Sequence, residues 1–170
     1  PRLYIIKKKL LKPKITNQIS LGYSEYQLCN NPYLSKIKHL NRLEQILGFT
    51  FVDKNKYNNY ILVDKHKNII ECISSNIFFY KASGNKYNFY TPDLSNAGVD
   101  GIMKKVIISF IKRKKMYIFI KNIKQKDISQ YDGAFICNSV TGIQFINKIH
   151  KRKFGHKKQL EELFSKYIYE

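Results

Sequence analysis

The 170 residues suit one domain, and at 44% hydrophobic the chain is too rich in apolar side chains for wholesale disorder. Its 31 Lys+Arg against 12 Asp+Glu give a net charge of +19, which by itself points to a polyanionic partner. Lys, Ile, Asn, Tyr and Phe, all with A/T-rich codons, supply 90 of the 170 positions, and 27 lysines stand against four arginines, so the charge reads as base-composition drift; a nucleic-acid reader would be expected to use more Arg, whose planar fork makes bidentate contacts.

In chain order, residues 2–8 and 14–23 read as strands, and 30–32 as a turn. Leu40, Leu43, Ile46 and Leu47 fall at helical spacing, with Gly48 as the C-cap. Residues 60–64 and 69–72 flank a hairpin turn at 65–68, and 76–80 pairs with 87–91 across 83–85; Pro92 breaks that strand. Asp100 is placed to cap a helix from 101 to about 115, with Ile102, Val106, Ile107, Phe110 and Ile111 on one face. Strands follow at 117–121 and 133–137. A polar tail leads to an amphipathic helix carrying Leu160, Leu163, Phe164, Tyr167 and Ile168. The pattern is α+β, a mostly antiparallel sheet or pseudo-barrel with packed helices.

Cys29, Cys72 and Cys137 are widely spaced, no CxxC occurs, and the four histidines are scattered, so no metal site is expected. Cysteine usage of this kind suits a reducing cytoplasm, and no apolar run reaches the length of a membrane span.

Three segments are better specified than their surroundings: Ile37-Lys38-His39-Leu40-Asn41-Arg42-Leu43-Glu44-Gln45; Glu71-Cys72-Ile73-Ser74-Ser75-Asn76-Ile77-Phe78; and Thr91-Pro92-Asp93-Leu94, continued by Ala97-Gly98-Val99-Asp100-Gly101-Ile102-Met103. A weaker fourth is Ile136-Cys137-Asn138-Ser139. Together and in this order, over roughly residues 20–146, they resemble the fold-type IV pyridoxal-phosphate enzymes of the class IV aminotransferase family, and among these the aminodeoxychorismate lyases. The aminotransferases of that group carry Gly-rich residues and a Tyr after the lysine, where this chain has His39-Leu40-Asn41-Arg42-Leu43.

The resemblance implies the large C-terminal domain of that fold, with pyridoxal 5'-phosphate as cofactor. Residues 1–15 are then the end of a linker from an N-terminal domain that these 170 residues lack, and 16–170 the cofactor-binding domain. Lys38 becomes the catalytic lysine that bonds to the cofactor aldehyde and later moves protons at the substrate carbon. That role needs a partly neutral amine, favoured by burial or neighbouring positive charge. Glu71 becomes the acid facing the pyridine nitrogen, where a charge-assisted hydrogen bond keeps the nitrogen protonated. Backbone N–H groups of Ile102 and Met103, in the first turn of a helix, would receive the phosphate, and Ser139 would close on it from another loop. Asn76, Ser74 and Ser75 would shape the loop beside Glu71. His39 is read as structural.

The implied reaction converts 4-amino-4-deoxychorismate to 4-aminobenzoate and pyruvate in folate synthesis, in a cytoplasmic homodimer with no nucleic-acid or membrane partner. Without the N-terminal domain, weak cofactor binding and little turnover are expected. The alternatives are a branched-chain or D-amino acid aminotransferase on the same fold, a non-catalytic basic nucleic-acid-binding module, and a decayed remnant. The Arg expected after Met103 is Lys104 here, which keeps the charge and loses the fork.

Overall fold

The computed structural model describes residues 15–50, 52–53, 56–84, 86–155 and 158–168. The strand expected over 2–8 lies outside them. Among the described residues, ten strands and three α-helices follow one another: β1 (Thr16–Leu28), α1 (Leu43–Thr50), β2 (Asn59–Asp64), β3 (Asn68–Cys72), β4 (Asn76–Ser83), β5 (Lys86–Pro92), α2 (Ile102–Arg113), β6 (Tyr117–Lys121), β7 (Ile123–Lys124), β8 (Gly133–Asn138), β9 (Gly142–Ile149), β10 (Arg152–Lys153) and α3 (Lys158–Ile168), with a 3-10 turn at Gln125–Gln130. The α+β class and the strand-rich pattern are as expected.

The strands form one mixed sheet in the order β6-β5-β4-β8-β9-β1-β2-β3-β7, with β10 pairing β9. β1 is parallel to both of its neighbours, β2 and β9, and β5 is parallel to β6; the remaining pairs are antiparallel. The edge strands β6 and β7 are separated in the chain by Asn122 alone, so the two edges must meet and the sheet is rolled into a pseudo-barrel.

Period-two alternation divides the apolar residues between two cores. Along β4, Ile77 and Phe79 point into the barrel with Leu21, Ile61, Ile69 and Ile136. Phe78 and Tyr80 point outward, where Phe89, Phe135 and Phe145 pack against Ile107 and Phe110 of α2 and Phe164 of α3. Each such side chain contributes about 1.5–3 kcal/mol by leaving water. Asp64 locks the β2–β3 hairpin: its carboxylate accepts the backbone N–H groups of His66 and Asn68 at 2.8 and 2.9 Å and the Asn68 side-chain amide at 2.8 Å.

Three expectations fail for identifiable reasons. The supposed polar tail contains β9, a central strand bonded on both sides by β8 and β1. Buried or half-buried on both faces, Gly142-Ile143-Gln144-Phe145-Ile146 does not alternate. Gly48 is no C-cap but lies inside α1, where a Cβ would come within 2.7 Å of Leu62; its carbonyl accepts the Ser24 hydroxyl at 2.9 Å. The apolar residues of α1 do not form a core face: Leu43, Ile46 and Phe49 are exposed. α2 is also rotated from its expected face, burying Lys104, Ile107, Phe110 and Ile111 and leaving Ile102 73% exposed. Among the described residues no helix is long and apolar enough to cross a membrane.

Candidate functional site

A cavity of about 690 Å³ opens where the β3–β4 turn, the β8–β9 turn, the first turn of α2 and the 38–45 segment converge. Lys38, Glu71, Ile102, Met103 and Ser139, singled out from sequence, all line it, joined by Arg42, Gln45 and Asn76. Residues a hundred positions apart thus share one concave surface.

The loop at 95–101 is the organiser. Gly98 has φ +90°, and a Cβ there would meet Ile70 at 2.8 Å and Leu94 at 3.0 Å, so only glycine fits. Its carbonyl accepts the Lys36 N–H at 2.8 Å, and the Lys36 carbonyl accepts the Asp100 N–H at 3.2 Å. The segment leading to Lys38 is therefore stitched to this loop. The Val99 N–H donates to Glu71 Oε2 at 2.8 Å, while the Val99 carbonyl accepts the Asn76 amide at 2.7 Å. Asn76 Oδ1 accepts the Gly101 N–H at 3.1 Å. The four residues 98–101 therefore position the lysine segment, the acid and the start of α2.

Glu71 is 3% exposed, and burial pushes its carboxyl up to about 7. The Val99 N–H, the Arg42 guanidinium, the Gln45 amide (3.5 Å from Oε1) and the Lys104 ammonium oppose that rise without cancelling it. A buried carboxyl poised near neutrality is matched to a cationic or protonated partner. Lys104 is 4% exposed, and burial lowers its pKa against the raising influence of Asp100, whose carboxylate lies 3.2 Å away.

Asp100 does not cap α2. Gly101 is the N-cap, no side chain caps it, and Asp100 instead pairs with Lys104 and Lys105. The first-turn N–H groups of a helix have no partner within it, and here Ile102 and Met103 bring that turn to the cavity wall. Ser139 stands on the opposite wall in the β8–β9 turn, exposed. Asn138 holds that turn. Its Oδ1 accepts the Val140 and Thr141 N–H groups at 2.8 and 2.7 Å, and its amide donates to the Ser74 carbonyl and the Ser75 hydroxyl at 3.2 and 3.0 Å.

Lys38 lines the cavity but is exposed rather than buried; the positively charged neighbour on the same wall is Arg42. His39 is half-buried, and its Nδ1 has no hydrogen-bond partner among the described residues. Sequence reasoning did not assign Gln45, Asn138 or Gly98. All three stand inside the motif segments, and what it lacked was the knowledge of which motifs face each other.

The model of the class IV aminotransferases matches residues 1–149, and the chain belongs to that family. It is 25% identical over 131 residues to an aminodeoxychorismate lyase of Vibrio harveyi, which covers 77% of this chain and 47% of that protein. It is 30% identical over 106 residues to a probable branched-chain-amino-acid aminotransferase of Rickettsia typhi, covering 62% of this chain and 34% of that protein. Among solved structures, the 4-amino-4-deoxychorismate lyase of Pseudomonas aeruginosa superposes with TM-score 0.79 at 22% identity, over 89% of this chain and 56% of the other. An aminotransferase of Brucella abortus, solved with its co-factor PLP, superposes with TM-score 0.73 at 16% identity, over 96% and 57%. The chain spans about half the length of the relatives it matches. The fold is that of the fold-type IV enzymes, as the motifs implied.

Proposed function

We propose that this chain is the cofactor-binding part of a pyridoxal-phosphate-dependent lyase that converts 4-amino-4-deoxychorismate to 4-aminobenzoate and pyruvate, a step of folate synthesis, in a homodimer. The observation that carries the reading is the meeting, in one cavity, of Lys38, the buried Glu71 carboxyl and the first turn of α2. The donor set fits the cofactor. Among the described residues, Glu71 has one oxygen engaged by Val99 and the other met only by a long contact from Gln45, so a protonated ring nitrogen finds an acceptor. The α2 start offers N–H groups to a phosphate.

Pyridoxal phosphate, when bound, supplies an aldehyde that bonds to amines and a ring that takes up electrons released at the amine-bearing carbon. The chain's own residues do the rest. Lys38 would hold the cofactor through that aldehyde and, as a free amine, would remove the proton from the amine-bearing carbon of the substrate. Glu71 accepts a hydrogen bond from the pyridine N–H and keeps the proton there. Ile102 and Met103 hold the phosphate through their backbone, with the Ser139 hydroxyl opposite. The carbon–oxygen bond to the enolpyruvyl group then breaks, the ring becomes aromatic, and the Lys38 ammonium returns its proton to the leaving group. Exposed Leu40, Leu43 and Ile46 beside the lysine support a partner subunit over this face.

The second reading, a branched-chain aminotransferase, draws on the Rickettsia relative; the His39–Leu43 stretch favours the lyase. Pyruvate release from aminodeoxychorismate, set against amino transfer from leucine to 2-oxoglutarate, separates them. The lyase reading expects the first and fails if only the second occurs.

A further inference from the structure

At the opposite end of the barrel a second cavity, of about 650 Å³, opens between the β2–β3 hairpin, the β9–β10 turn and the 124–128 segment. The hairpin and the β3–β4 turn end β3 on opposite sides, and the β9–β10 and β8–β9 turns do the same for β9. The two cavities accordingly share no lining residue. The floor here is apolar, formed by Tyr23, Ile128 and Ile149, whereas the rim carries Lys67, Lys124, Lys126, Lys151 and Arg152 and no carboxylate.

In so basic a chain a rim of lysines says little alone, but two observations set this one apart. Other cavities mix signs: Glu71 faces Lys38 and Arg42 in the first, Asp93 and Asp100 accompany Lys104 in another, and the adjoining cavity that shares Tyr23, Gln125 and His150 with this one sets Glu25 and Asp53 beside Lys56. Arg152 is one of only four arginines in the sequence, and its guanidinium is held in place, donating to the Tyr131 carbonyl at 3.3 Å and lying 5.2 Å over the Phe154 ring. A guanidinium retained where lysine is the default, and oriented, suits bidentate anion recognition.

We propose that this cavity binds a small organic phosphate with a flat ring, of the nucleoside diphosphate kind. The ring lies on the apolar floor, and the phosphates meet Arg152 and the surrounding lysines. Far larger than an inorganic anion needs, the space would leave its apolar floor unused by phosphate alone. The cations encircle one cavity instead of tracking across a surface as a single strand of nucleic acid requires. None of this depends on the cofactor reading.

The test is calorimetric titration of the 170-residue chain at about 0.15 M salt with ADP, adenosine, inorganic pyrophosphate and a short oligouridylate. We expect one ADP per chain, bound at least about tenfold more tightly than adenosine or pyrophosphate. Arg152→Lys should weaken ADP about tenfold, and Arg113→Lys on α2 should not. Because Arg152 also holds the Tyr131 carbonyl, a Lys126→Ala/Lys151→Ala double variant, altering exposed side chains only, should weaken ADP as well while unfolding at the parent temperature. Equal affinity for ADP in both variants overturns the proposal. So does pyrophosphate binding as tightly as ADP, or oligouridylate binding more tightly and displacing it.

Discussion

A carboxyl group raised by burial from 4.5 to about 7 makes the folded chain pH-sensitive in a definite direction. Between those values the folded state binds more protons than the unfolded one, so stability falls as pH rises. The cost of the buried charge is absent below about pH 4.5 and complete above about 7. Glu71→Gln removes it. In denaturant titrations of the cofactor-free chain, the variant should match the parent at pH 4.5 and exceed it at pH 8 by on the order of 3 kcal/mol. A gap that stays constant with pH would mean that Glu71 is already ionised at low pH. Lys38 is tested covalently: borohydride reduction with pyridoxal phosphate should fix the cofactor on the peptide containing Lys38, and Lys38→Ala should lose at least about 90% of that label. With 27 lysines in the sequence, labelling spread evenly over many peptides would remove Lys38 from its proposed role.

Loop 95–101 concentrates geometric demands that no single residue type announces. Gly98→Ala introduces a Cβ where φ is +90° and Ile70 lies 2.8 Å away. It should cost about 2 kcal/mol or more in urea unfolding, and it should loosen the Val99 bond to Glu71. Asn76→Ala removes the side-chain bonds to the Val99 carbonyl and the Gly101 N–H and leaves those two groups only their own 3.1 Å bond, a loss of about 1–3 kcal/mol. The comparison of those two variants is informative because one strains the loop and the other unties it. Both should weaken cofactor labelling at Lys38, since Lys36 hangs on the same stretch. The strands and hairpins were easier to foresee than this loop. Alternation in β4 and β5 and the Asp64 turn are local signals, whereas β9 hid its strand character by being buried or half-buried on both faces over residues 142–146. Apolar spacing found both α1 and α2, but it named the wrong face of α2, where Ile102 and Val106 are exposed and Lys104 is buried.

A chain carrying +19 repels itself most in the compact state. Raising NaCl from about 0.02 M to about 0.5 M should therefore raise Tm, because the Debye length falls from roughly 20 Å to under 5 Å and screens charges spread over the surface. A Tm that falls with salt would mean that the few ion pairs, such as Lys104 with Asp100, outweigh the general repulsion. The exposed apolar residues of the 33–49 segment, with Leu40 fully exposed, add a second pressure on the molecule. They favour self-association, so solubility and charge act against each other in this chain.

The motifs around Lys38, Glu71, Gly98–Met103 and Asn138–Ser139 could be recognised from residue order alone, because each is a short run whose spacing is preserved within one turn or strand. Composition likewise pointed to base-composition drift as the source of most of the positive charge. What residue order could not supply was convergence. β1 lies between β2 and β9, which come some forty and more than a hundred residues later, and this parallel, non-local pairing joins the two halves of the sheet that rolls into the barrel. Closure brings the β3–β4 and β8–β9 turns together at one mouth, with the start of α2 beside them. The burial of Glu71, and with it the carboxyl near 7, exists only once those elements have excluded water from around it.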